Sequence, residues 1–162
     1  MKSNKNLFAK LLLSGFVGTL ILSASSVVIA QANLQKAISA HIKKVGEDAV
    51  EYKRAREIVY GDVDGDGVKD AVVQYTLEGA GGGNSWGQSI AVFLNKKGVY
   101  KMSGDETVGG KFFRIFDLLK VVNREIIGVT ETCPNDEPQG LCKNPKKKQV
   151  KFVLSNGKLK ER

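Results

Sequence analysis

The sequence contains very few of the side chains that usually perform catalysis or bind transition metals. Histidine occurs once, at His41, and cysteine twice, at Cys133 and Cys142. A nucleophile that is activated by histidine needs the histidine beside it and a third group that orients the histidine. A zinc site needs several imidazole or thiolate ligands. We therefore expect a non-enzymatic protein. A hydrolase that uses a carboxylate pair such as Asp105 and Glu131 stays open, although nothing in the sequence singles out that pair.

Charged residues are absent from a long stretch near the N-terminus, Leu11 to Ala30, which is rich in Leu, Val and Ile. A basic head precedes it, formed by Lys2, Lys5 and Lys10. A basic head, an apolar stretch and small residues before the cleavage point make up a secretory signal peptide. Cleavage fits after Ala30 or Ala32, so residues 1–32 are predicted to be a signal peptide. The competing interpretation is a retained membrane helix, since about 20 apolar residues can span a bilayer. The serine and glycine residues that interrupt the stretch favour cleavage.

Removal of the signal peptide leaves residues 33–162, a length that suits a single domain. We expect this domain in the periplasm or the medium, with a mature form that does not span the membrane. In such an oxidising compartment, Cys133 and Cys142 predict one structural disulfide bond. The segment between them is polar and rich in turn residues, so a cross-link would order it. A redox-active pair would usually be spaced Cys-x-x-Cys.

The mature part begins with a helical pattern and continues with strand patterns. Apolar side chains recur at helical spacing from about Asn33 to Val45. His41 falls on or beside that apolar stripe, where we interpret it as a packing residue. From Glu57 onward, short β-like runs alternate with turn signals. They predict strands at 58–60, 71–77, 89–94, 99–102, 112–122, 125–132, 149–154 and 158–160.

Short links between these runs predict antiparallel pairing. Asn156-Gly157 is typical of a two-residue hairpin, and Gly98 suits the end of a longer one. The predicted fold class is α+β, in which an N-terminal helix packs on an antiparallel β meander of about six to eight strands and no propeller forms. Four residues of the fifth run are predicted to be core residues, namely Phe112, Phe113, Ile115 and Phe116.

The most specific motif is an acidic loop between two of the predicted strands. Carboxylates alternate along it, at Asp62, Asp64, Asp66 and Asp70. Calcium prefers about six to eight oxygen ligands. Gly65 and Gly67 allow the sharp turn that would aim the carboxylates inward, and the Val68 carbonyl is a further candidate ligand. The first six positions agree with an EF-hand loop, but the twelfth is Val73 rather than glutamate, and the flanking segments look like strands rather than helices.

The pattern Asp-x-Asp-Gly-Asp-Gly-x-x-Asp, followed by apolar strand residues, resembles the calcium loop of FG-GAP (VCBS-type) repeats, which joins two antiparallel strands. The resemblance covers Tyr60 to Gly79. It implies one bound calcium ion, with ligands from Asp62, Asp64, Asp66, the Val68 carbonyl and Asp70. Such repeats build propellers in series, whereas this chain holds one copy, so their adhesion and lectin-like roles do not carry over. The wider chain is similar to small exported bacterial proteins of unknown function. The alternative is an Asp/Gly-rich turn that binds no metal tightly.

Two further segments are candidate partner-binding surfaces. The glycine-rich segment from Glu78 to Gly87 contains Asn84 and the only tryptophan, Trp86. Aromatic side chains dominate interface hot spots, and the alternative is a flexible connector. Residues 143–162 hold eight basic residues and one acidic residue, with consecutive lysines at Lys146, Lys147 and Lys148. Their expected partner is an anionic envelope component or a protein, and the alternative is a solvated edge strand.

The sequence therefore predicts an exported, non-enzymatic domain that binds one calcium ion and acts as an interaction module. A nucleic-acid partner is not expected, because no aromatic platform interleaves with the lysines. A periplasmic inhibitor or scavenger protein is the alternative from another functional class, and a hydrolase with an unrecognised carboxylate site is the third.

Overall fold

The computed structural model describes residues 19–134 and 137–162, with side chains from residue 28 onward. The basic head and the first part of the predicted signal peptide lie outside these residues. The described part of the chain begins with a helix, α1 (Thr19–Gly46), which contains both predicted cleavage positions. This helix starts earlier than the predicted Asn33, because residues 19–32 contain neither glycine nor proline to interrupt it. Among the residues described, no helix has the length and apolarity needed to cross a membrane.

Within the described residues, nine strands follow the helix. They are β1 (Val50–Glu51), β2 (Glu57–Gly61), β3 (Asp70–Glu78), β4 (Trp86–Lys96), β5 (Val99–Gly110), β6 (Ile115–Val122), β7 (Glu125–Thr132), β8 (Lys146–Ser155) and β9 (Lys158–Glu161). Short 3-10 turns lie at Lys53–Ala55 and Ala80–Gly82. The α+β prediction is confirmed, and the eight predicted strands correspond to β2 through β9. The strand that the sequence did not predict, β1, has only two residues.

The strands form two antiparallel sheets rather than one continuous meander. In sheet A, β3 pairs with β4 on one side and with both β1 and β2 on the other, and β5 pairs with β4. In sheet B, β6, β7, β8 and β9 pair in sequence order. The chain changes sheets in the turn between β5 and β6. Over residues 19–134 and 137–162, the strands form neither a closed barrel nor a propeller.

Sheet A is covered on both faces. One face packs against α1 through a core that includes Ile38, Val73 and Phe93. The other face packs against sheet B through a core that includes Ile90 and Phe116. Side chains alternate between the two faces of a strand. The seven residues from Asp70 to Thr76 in β3 are therefore all buried.

Two buried glutamines of sheet A connect it to β6, the edge strand of sheet B. The Gln88 side chain accepts the Phe116 N–H at 2.8 Å, and the Gln74 side chain accepts the Leu118 N–H at 2.8 Å. Both side-chain amides also donate to the Phe116 carbonyl, Gln74 at 2.9 Å and Gln88 at 3.1 Å. Side-chain amides thus provide the hydrogen bonds that a neighbouring strand would otherwise provide to this edge.

The core prediction is correct for Phe116 and wrong for Phe112 and Phe113. Phe116 is fully buried and packs edge to face on Phe152, with ring centroids 5.7 Å apart. Phe112 and Phe113 are exposed, because they lie in the turn between β5 and β6 rather than in a strand. Ile115, the first residue of β6, is half-buried.

Candidate functional site

The acidic loop closes the hairpin formed by β2 and β3, where Gly61 pairs with Asp70. Gly65 and Gly67 both have left-handed backbone conformations, with φ of 87° and 81°. Residues other than glycine rarely adopt this backbone conformation. The Asp62 carboxylate accepts the Gly65 N–H at 2.6 Å and the Gly67 N–H at 3.0 Å. The loop is therefore wrapped around the first carboxylate of the motif.

Asp64 and Asp66 continue this arrangement along the loop. The Asp64 carboxylate accepts the Asp66 N–H at 3.2 Å, and the Asp66 carboxylate accepts the Val68 N–H at 2.8 Å. In each of these side chains, one carboxylate oxygen accepts a backbone N–H of the loop, and the other oxygen accepts a hydrogen bond from the Lys96 ammonium. Val68 enters the hydrogen bonding of the loop through this N–H, and its side chain is exposed.

Asp70 anchors the loop to the rest of sheet A. Its side chain is fully buried. One carboxylate oxygen accepts the Val63 N–H at 2.9 Å, and the other accepts the Asn95 N–H at 2.9 Å. A buried carboxylate is tolerated where hydrogen bonds satisfy its oxygens. Asp70 thus ties the acidic loop to the hairpin between β4 and β5.

Two basic side chains from neighbouring hairpins approach the acidic loop. The Lys96 ammonium donates to Asp64 at 2.8 Å and also to Asp66. The hydrogen bond from Lys96 lowers the pKa of Asp66, with a further contribution from the Val68 N–H. The two carboxylates raise the pKa of Lys96 in return. The Arg124 guanidinium lies over Gly65, so closely that a side chain at position 65 would overlap it.

Three of the four acidic side chains converge. Asp62, Asp64 and Asp70 each have a carboxylate oxygen within 4.8 Å of the others. Calcium–oxygen distances are about 2.3–2.6 Å, so two oxygens on the same ion lie at most about 5 Å apart. The three carboxylates therefore meet the distance condition for contacting one common cation. Asp66 does not belong to the converging group and pairs with Lys96 instead.

A second group of polar side chains lies between α1 and sheet A. His41 is buried, its Nε2 lies 3.3 Å from the Tyr75 hydroxyl oxygen, and the Asp105 carboxylate is 3.8 Å from the same nitrogen. The ring also packs edge to face on Tyr75 and Phe93. Burial lowers the pKa of His41, and Asp105 partly opposes this shift. The contacts agree with the interpretation of His41 as a packing residue.

The two carboxylates considered for a hydrolase lie in different sheets. Asp105 belongs to sheet A and lies next to His41. Glu131 belongs to sheet B and pairs with Lys147. Each carboxylate therefore has its own basic neighbour, His41 of α1 for Asp105 and Lys147 of β8 for Glu131.

The glycine-rich segment and the end of α1 enclose a cleft with a volume of about 290 Å³. Trp86 lines this cleft together with the acidic residues Glu47 and Asp48. Asn84 lies outside its lining and accepts a hydrogen bond from the Lys111 ammonium at 2.5 Å. Of the two residues that the sequence grouped as partner-binding candidates, Trp86 therefore lines the cleft, and both are hydrogen-bonded to Lys111, Trp86 through its carbonyl.

The consecutive lysines Lys146, Lys147 and Lys148 begin β8 and are exposed. They pair with the end of β7, where Lys147 faces Glu131 across the strands and forms an ion pair with it. The segment is thus part of a regular strand whose lysine side chains extend into solvent. The Sγ atoms of Cys133 and Cys142, just before this strand, are 2.10 Å apart, which is the distance of a disulfide bond.

Comparison of the chain with protein families, with curated proteins and with solved structures found no match. The likeness of the acidic loop to FG-GAP repeats therefore depends on the motif residues alone. Sequence reasoning missed the three residues that contact the loop from elsewhere, Asn95, Lys96 and Arg124. No local signal marks them, because they reach the loop only through the pairing of distant strands.

Proposed function

We propose that this protein is an exported, non-enzymatic domain that binds one calcium ion in the acidic loop and serves as an interaction module. The observation that carries the calcium proposal is the convergence of Asp62, Asp64 and Asp70 within 4.8 Å. Hydrogen bonds to loop amides hold these side chains in place, so little ordering is left for the ion to impose. When bound, calcium would neutralise the repulsion between the carboxylates and join β2 to β3.

The contact between Lys96 and the loop argues for weak binding. Its ammonium already neutralises Asp64 and Asp66, so a calcium ion would compete with it for the Asp64 carboxylate. We expect a dissociation constant of about 10⁻⁴–10⁻³ M, the range of extracellular calcium modules. Such an affinity is sufficient only where calcium is abundant, which agrees with export. The disulfide between Cys133 and Cys142 also favours an oxidising compartment.

Thermal unfolding with calcium and with a chelator tests the metal site. A ligand that binds only the folded state at 100 times its dissociation constant adds about 2.7 kcal/mol of stability. We expect calcium to raise the melting temperature of the wild type and of Asp48→Asn, a matched control at an exposed aspartate outside the loop. Asp64→Asn should lose the effect. Equal melting temperatures with calcium and with chelator would show that the loop is a turn that binds no calcium.

The signal peptide has a separate test. Mass spectrometry of the protein recovered from the envelope or the medium should show an N-terminus at Gln31 or Asn33. Recovery of an uncleaved chain in the membrane fraction would instead favour the retained helix.

A further inference from the structure

We propose that one end of sheet B docks onto the surface of an anionic lipid bilayer. The contact is made by Phe112, Phe113 and Leu141, called here the apolar tip. Their side chains are 69, 53 and 76 % exposed. Large apolar side chains that are exposed together mark interaction sites. The inference rests on the role as an interaction module and names its partner, but it does not depend on the calcium site.

Two backbone segments bring the apolar tip together. The phenylalanines lie in the turn between β5 and β6, and the leucine lies in the loop closed by the disulfide. The Gln139 N–H donates to the Lys111 carbonyl at 2.8 Å, which fastens the loop to the turn. The buried Gln139 side chain also accepts the Cys133 N–H at 2.7 Å. Hydrogen bonds and a covalent cross-link thus join the two segments that carry the tip.

Exposed lysines lie at the same end of sheet B as the apolar tip. The pairing of Thr132 with Lys146 places the start of β8 at the same end of sheet B as the turn. Three exposed lysines form this basic rim, namely Lys143, Lys146 and Lys148, and the half-buried Lys111 lies in the turn itself. The rim excludes Lys147, whose charge is paired with Glu131. One acidic residue of the disulfide loop, Glu137, is described and exposed, and Asp136 lies outside the described residues. Positive charge therefore exceeds negative charge around the tip.

This combination fits a membrane surface better than a protein groove. Aromatic rings are favoured at the level of the lipid headgroups, and lysine side chains reach anionic headgroups while their alkyl stems lie along apolar surface. The Lys111 ammonium lies 5.4 Å from the centroid of the Phe112 ring, and the Arg114 guanidinium lies 4.6 Å from that of Phe113. Each ring therefore has a cation beside it. The Arg114 guanidinium is paired with the Glu161 carboxylate, which leaves the Lys111 ammonium, held by the Asn84 side chain, as the cation that could meet an anionic headgroup.

The test is sedimentation of the purified protein, as the host cell processes it, with vesicles. One set contains phosphatidylglycerol and phosphatidylcholine in equal parts, and the other contains phosphatidylcholine alone. We expect binding to the anionic vesicles only, because each lysine near such a surface contributes about fivefold to the partition coefficient. An uncleaved apolar N-terminal segment would bind both sets, so the neutral vesicles identify that case and would overturn the proposal.

Variants locate the contact. The double variant Phe112→Ser with Phe113→Ser should weaken binding by about tenfold or more, because it removes two apolar anchors. A matched control with Val50→Ser and Val99→Ser replaces two equally exposed apolar side chains elsewhere and should bind like the wild type. Lys143→Gln with Lys146→Gln should weaken binding and reduce its salt dependence.

The outcomes distinguish this proposal from the calcium proposal. Asp64→Asn should bind vesicles like the wild type even if it has lost calcium. Unchanged binding of the phenylalanine double variant would overturn the apolar contact and leave only adsorption by charge. Equal loss in the Val50 and Val99 control would show that the tip is not the site, and absence of binding to both vesicle sets would refute the proposal altogether.

Discussion

The two glutamines that join sheet A to β6 allow a stability prediction that can be worked through in detail. Replacing Gln88 by Met keeps the shape of the side chain but leaves the buried Phe116 N–H without a partner. Replacing Gln74 by Met does the same to the Leu118 N–H. An unsatisfied buried donor costs about 1–3 kcal/mol. Each single variant should therefore lose about 2 kcal/mol, which corresponds to roughly 8 °C in melting temperature for a domain of this size.

The double variant should lose more than the sum of the two. The Phe116 carbonyl accepts from both glutamines, so either glutamine alone still satisfies it. Only the double variant leaves this acceptor unsatisfied, which adds about 1–3 kcal/mol. The assay is urea unfolding of the four proteins in a double-mutant cycle, with the free energies of unfolding compared in water. Exactly additive losses, or single losses below about 0.5 kcal/mol, would refute the idea that these amides replace a neighbouring strand.

Three other predictions follow from single contacts. Lys96→Met should bind calcium about two- to fivefold more tightly in isothermal titration, because the ammonium no longer competes for the loop, and weaker binding would show that Lys96 positions the carboxylates instead. His41→Phe should reduce the loss of stability that sets in as the pH falls below about 6.5. Burial lowers the pKa of His41, so the unfolded state takes up the proton first, and stability is lost as the pH falls from the unfolded value of 6.5 through the folded value. An unchanged pH dependence of the urea midpoint would assign that loss to other groups. Gly128→Ala should destabilise by about 1–3 kcal/mol, because a methyl group there would overlap the Phe116 ring, and a neutral effect in thermal unfolding would show that this core has room to relax.

Local pattern was sufficient to predict much of the fold. The helical spacing from Leu34 to Val45 and the alternating runs from Ile58 onward gave the helix and eight strands, because these signals depend on neighbouring residues. The acidic loop was predictable for the same reason, since its carboxylates and its glycines lie within nine positions of one another, Asp62 to Asp70.

Contacts between distant segments were not predictable. Nothing near Phe112 or Phe113 indicates that the chain changes sheets there, so an aromatic run looked like a core strand. Lys96 and Arg124 reach the acidic loop from two other hairpins, and their positions follow only from the strand pairing. Gln74 and Gln88 carry no local signal of burial, and they are buried because a second sheet covers that face.

The burial of β3 on both faces has a consequence for how the chain finds its strand register. In a sheet with one solvent-exposed face, a register slip by one residue moves all the apolar side chains of the strand into solvent. This penalty selects the correct pairing. In β3, such a slip would only exchange Val72 and Val73 between two apolar cores, so hydrophobicity discriminates weakly against it. Discrimination must then come from the polar side chains, since a slipped strand would separate Asp70 from the Val63 and Asn95 amides and Gln74 from β6. The few buried polar residues of this strand thus determine its register.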